Sequence, residues 1–75
     1  MKKFDRITQD PEVMGGKACI RGMRVTASML VNQVAAGRSV ASILVDYPYL
    51  EAEDIGQALR YAAWLAEGQE LVLAD

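Results

Sequence analysis

Residues 10–26 read Asp10-Pro11-Glu12-Val13-Met14-Gly15-Gly16-Lys17-Ala18-Cys19-Ile20-Arg21-Gly22-Met23-Arg24-Val25-Thr26 and run straight into an apolar helical pattern. Gly22-Met23 separates two short β-prone runs, and glycine in the first central position suits a two-residue type II′ turn, so the segment predicts a tight hairpin. In that register Ile20 opposes Val25 and Arg21 opposes Arg24, and the period of two sends each pair to its own side. Ile20 and Val25 then face a core. Lys17, Cys19, Arg21, Arg24 and Thr26 face away from it. Two opposed arginines repel modestly; either solvent screens them or an anionic group of a partner sits between them.

Upstream, Phe4 to Thr8 is a short extended candidate that could pair with the hairpin. Asp10-Pro11 and Gly15-Gly16 interrupt regular structure. Gly16-Lys17 does not belong to a phosphate-cradling loop, because the position five residues earlier is Pro11 and the next residue is Ala18 rather than Ser or Thr. Downstream, Thr26 is an N-cap for a first helix over Ala27 to Ala36 with Ala27, Leu30, Val31 and Val34 on its apolar face, ended by Gly37. Ser39 caps a short second helix to about Asp46, in which Val40, Ile43, Leu44 and Tyr47 share a side. Pro48 stops it. The third helix begins near Glu51, with Glu51, Glu53 and Asp54 in a first turn where carboxylates suit the helix dipole. Ile55, Ala58, Leu59, Ala62, Leu65 and Ala66 form its core stripe, while Gln57, Arg60, Tyr61 and Trp64 fall on the other side. Gly68 closes it. Trp64 beside Arg60 has the composition of an interface centre, or it folds over the helix end.

At 75 residues the chain is one domain, and 52% hydrophobic residues are more than so small a body comfortably buries. Self-association, at least a homodimer, or a protein partner is the expectation. Net charge is −2, but residues 1–38 sum to +4 and residues 39–75 to −6, so a basic front meets an acidic back. The single Cys19 excludes an internal disulfide framework, and the absence of histidine removes the usual zinc-ligand sets. No cofactor is expected. The N-terminus lacks the apolar run of a signal peptide and no stretch can span a bilayer, which points to a reducing cytoplasm. No nucleophile and base pair can be assembled, so the sequence reads as a binding protein rather than an enzyme.

Three helices behind a hairpin define a mainly α fold of helix-turn-helix type, with an arm over 1–26, helices over 27–67 and a tail over 68–75. Ile7-Thr8, Asp10-Pro11, Gly15-Gly16-Lys17, Cys19-Ile20-Arg21-Gly22, Arg24-Val25-Thr26, Ala36-Gly37, Ile43-Leu44, Tyr47-Pro48, Asp54-Ile55, Ala58-Leu59 and Tyr61-Ala62 together resemble the bacterial family catalogued as domain of unknown function four-three-three. The chain has Ala18 where that family usually has proline, and Met23 where it usually has threonine. The resemblance implies a homeodomain-like helix-turn-helix domain and an antitoxin of a type II toxin-antitoxin module. Such a protein binds and silences a toxin related to PIN-domain nucleases and can repress its own operon. The alternative is a stand-alone dimeric DNA-binding transcriptional regulator.

In a helix-turn-helix domain the start of the recognition helix enters the major groove. Here that start is Glu51, Glu53 and Asp54, which phosphate-rich DNA repels. DNA binding is therefore expected at Lys17, Arg21 and Arg24, helped by Arg38, Lys2 and Lys3. The toxin-binding surface is expected at Arg60, Tyr61 and Trp64 and on the apolar tail residues Leu71, Val72 and Leu73.

Overall fold

Thr26 decides where the helical body begins. Its backbone is extended and its hydroxyl accepts a hydrogen bond from the Met29 amide at 3.1 Å, which caps α1 (Ala27–Ala35). The computed structural model describes residues 4–69. At the other end of α1, Gly37 has φ 94° and donates to the Val34 carbonyl at 2.9 Å, while the Arg38 amide donates to Gln33 at 3.2 Å. This pair of bonds is a Schellman ending, and its left-handed residue is where glycine fits without strain. The Ser39 hydroxyl accepts from the Ser42 amide at 3.1 Å and caps α2 (Val40–Asp46). A turn that buries Leu50 leads into α3 (Ala52–Gln69). The protein is thus three helices behind a short hairpin, as expected.

The hairpin differs in detail. Strand β1 (Ile7–Thr8) pairs antiparallel with β2 (Cys19–Ile20), Ile7 opposite Ile20 and Thr8 opposite Cys19. The other edge of β2 meets a bridge between Cys19 and Thr26, and the Ile20 amide donates to the Val25 carbonyl at 2.9 Å. The expected register therefore holds, but the turn lies one residue earlier. Met23 donates to the Ile20 carbonyl at 2.8 Å, and Arg21 and Gly22, at φ 48° and 74°, have the positive values of a type I′ turn. Arg21 is consequently a turn residue, not a strand residue opposed to Arg24. Cys19 and Thr26, expected to face away from the core, are both buried.

Ile20, Val25, Leu30, Ile43, Leu50, Ile55, Ala58 and Tyr61 belong to one core, with Phe4 from the N-terminal arm. The core stripe of α3 is rotated from its expected position: Asp54, Gln57 and Tyr61 are buried, whereas Leu65 and Ala66 are exposed. Length explains the second half of that difference. At ~1.5 Å per residue α3 spans ~27 Å and α1 ~14 Å, so the last turns of α3 project past the helix they pack on. Gly68 lies inside α3 without a positive φ and does not end it.

The Thr26 cap should be measurable alone. Thr26→Ala is expected to lower unfolding free energy in urea by about 1 kcal/mol while leaving helix content at low denaturant unchanged.

Candidate partner-binding surface

Asp54 is the third residue of α3, where the short aspartate side chain can reach back to the amide of the residue before the helix. One of its oxygens, Oδ2, accepts from the Glu51 amide at 2.8 Å and from Arg21 Nη2 at 2.8 Å. The other, Oδ1, accepts from Arg21 Nε at 3.0 Å and Arg6 Nη1 at 2.9 Å. The side chain is fully buried, and these four bonds use its acceptor capacity. Burial pushes its carboxyl up, but the Arg21 guanidinium, the Glu51 amide and Arg6 outweigh that and hold it down at about 2. Arg6 is raised by Glu51 and then Asp54, and Arg21 by its bonds to Asp54. Arg21 Nη2 also donates to the Tyr49 carbonyl at 3.0 Å.

This arrangement changes the standing of the expected DNA-facing residues. Arg21 is tied to Asp54, and Arg38 to Gln33, Ser42 and Asp46 at the corner between α1 and α2. Both guanidiniums therefore hold the fold together. Lys17 and Arg24 are exposed and make no ion pair with another described residue. The first turn of α3 is also not a bare acidic patch, since Glu51 pairs with Arg6 at 2.6 Å and Glu53 with Arg60 at 2.8 Å. Lys2, Lys3 and the tail residues Leu71, Val72 and Leu73 lie outside the described residues.

The expected partner-facing aromatics separate. Tyr61 is buried, its ring edge-on to Phe4 at 5.5 Å, whereas Trp64 is 47% exposed and Arg60 sits beside it in the open. On the opposite side of α3 an apolar groove of about 340 Å³ lies between this helix and α1. Ala18, Ala27 and Ala62 have single-carbon side chains, which leaves the space. Val31, Tyr61 and Leu65 supply apolar walls, and the exposed Lys17, Ser28 and Asn32 edge it. Such a concave surface with few polar groups suits an apolar side chain of another molecule. The sequence offered a partial signal for it. A stripe centred on Asp54, Ala58 and Tyr61 continues to Ala62 and Leu65, but the polar Asp54 and Gln57 disguise that face as a solvated one.

Residues 7–62 match the family described as protein of unknown function (DUF433). A crystal structure of a DUF433 member protein from Anabaena variabilis ATCC 29413 is similar with a TM-score of 0.78 and 31% identity, covering 99% of this chain and 73% of that one. The "uncharacterized protein y4eO" of Sinorhizobium fredii (strain NBRC 101917 / NGR234) is 41% identical over 56 residues. That match takes in 75% of this chain and 25% of the relative, so the chain spans about a quarter of that relative's length.

Asp54 generates a test by pH. Its folded-state pKa lies below that of an unfolded aspartate, so its contribution is complete above about pH 4 and disappears as pH falls towards about 2. Wild-type stability in urea should decline across that window. Asp54→Asn should flatten the decline, and Asp54→Ala should cost about 3–5 kcal/mol at neutral pH. An unchanged acid limb in Asp54→Asn would mean that another carboxylate carries it.

Proposed function

The chain belongs to the DUF433 family, and from the groove between α1 and α3 we infer that it is an antitoxin-like binding protein that neutralises a PIN-like nuclease toxin. The groove is the observation that carries this reading. It continues the hydrophobic core out to the surface, so an apolar side chain inserted there completes packing that the short α1 leaves unfinished. Lys17 at its edge suits a carboxylate flanking that side chain. We assign the protein no catalytic role, because its sequence has no histidine and offers no nucleophile with a base to activate it.

Repression of its own operon is the second part of the proposal, and it falls to Lys17 and Arg24, the cations of this region that form no ion pair with another described residue. Binding would then be dominated by phosphate contacts, with affinity falling steeply as salt rises. Lys17→Ala with Arg24→Ala should lower affinity for operator DNA and flatten its salt slope, leaving the fold intact.

Co-purification of the tagged protein from its native host tests the main reading. A nuclease-like protein in near-equal amount is the expected result, and Leu65→Lys, which charges one exposed wall of the groove, should weaken its capture by about tenfold or more. Recovery of DNA with no protein partner would overturn the antitoxin reading in favour of a stand-alone dimeric regulator. Undiminished capture by Leu65→Lys would displace the toxin from the groove.

A further inference from the structure

The side of α3 turned away from the groove carries a row of four residues, Arg60, Ala63, Trp64 and Glu67, all exposed. Their spacing of three, one and three places them along one helix face. A shallow depression of about 290 Å³ runs along the row, edged by Phe4. Trp64 stands on a fixed base, with its ring 5.9 Å from Phe4 and 6.0 Å from Tyr61, so its position is set by the core. A large aromatic held in place and left half-exposed is the kind of side chain that anchors an interface.

What identifies the occupant is the order of the row. Read from either end it runs charge, apolar, apolar, charge, and the two charges have opposite sign. If two copies bring these helices together antiparallel about a two-fold axis between positions 63 and 64, residue 60 of one copy meets residue 67 of the other. Trp64 of each copy then lies over Ala63 of the other, a large side chain against a small one. Arg60 of each copy meets Glu67 of the other, and symmetry makes both contacts twice. The parallel arrangement instead sets Arg60 against Arg60 and Glu67 against Glu67. We propose that the Arg60-Ala63-Trp64-Glu67 row is an isologous dimer face that takes a second copy of this chain, with the two α3 helices antiparallel. Arg60 stays within reach of Glu53, its 2.8 Å partner in the single chain, so it bridges an acid on each copy. The row and the groove lie on different sides of α3. A dimer through the first leaves the second open, and each stands or falls without the other.

Sedimentation equilibrium of the full chain over a concentration series is the test, with circular dichroism to confirm that each variant folds. The wild type should be dimeric, and Trp64→Ala should weaken association by about tenfold or more. Arg60→Glu and Glu67→Arg each place like charges in register and should each weaken association by about the same factor. The double variant Arg60→Glu with Glu67→Arg restores both pairs in the antiparallel arrangement and should recover dimerisation. A monomeric wild type at high concentration would overturn the proposal, as would single variants that associate as tightly as the wild type. So would a folded double variant that remains as weak as the singles. Loss of dimerisation with toxin capture retained is the outcome that separates this face from the groove.

Discussion

The buried carboxylate of Asp54 is the constraint on which the rest of the molecule depends. A chain this small has little core with which to hold an extended arm against three short helices. Asp54 draws the arm in through Arg6, the hairpin turn through Arg21 and the start of α3 through the Glu51 amide. Removing a charge from water is costly, and the cost is offset here because two guanidiniums and a backbone amide satisfy it from different segments. The same bonds explain the left-handed backbone at Arg21. That conformation aims the guanidinium at Asp54 and at the Tyr49 carbonyl, so the turn is shaped by what lies beneath it.

Neighbouring polar groups extend the same logic. Gln57, also buried, accepts from the Arg6 amide at 3.0 Å and donates to Asp5 at 2.6 Å, joining the arm to α3 one turn further along. Thr8 accepts from the Gly22 amide at 2.9 Å and so ties β1 to the turn. Polar bonds organise the end of the molecule where the arm, the hairpin and the start of α3 converge. Towards the far end of α3 the packing becomes aromatic and aliphatic, through Phe4, Tyr61, Trp64 and Leu65. Both proposed surfaces arise there, because burial on α3 stops at Tyr61 while the helix continues.

That geometry also reassigns the charges. Along the chain the charges divide into a basic front and an acidic back. In the folded chain part of each half is spent on the other, since Arg6, Arg21 and Arg38 from the front pair with Glu51, Asp54 and Asp46 from the back. Cations left unpaired are a better guide to a partner than cations counted along the chain, because a guanidinium already fixed by a buried carboxylate gives up those bonds to bind anything else.

Local signals determined the elements. Thr26, Gly37 and Ser39 act within a few residues of themselves, through caps and a left-handed ending, so the bounds of α1 and α2 and the pairing of Ile20 with Val25 could be read without knowledge of the fold. Only the tertiary structure decided the position of the turn at Arg21, the burial of Asp54, Gln57 and Tyr61, and the exposure of Leu65. Each depends on a partner about 30 or more residues distant, or on the length of α3 relative to α1. Periodicity reports whether a position is apolar, and a buried carboxylate satisfied from three separate segments defeats it, since the residues that make the site buried are invisible from the sequence around it.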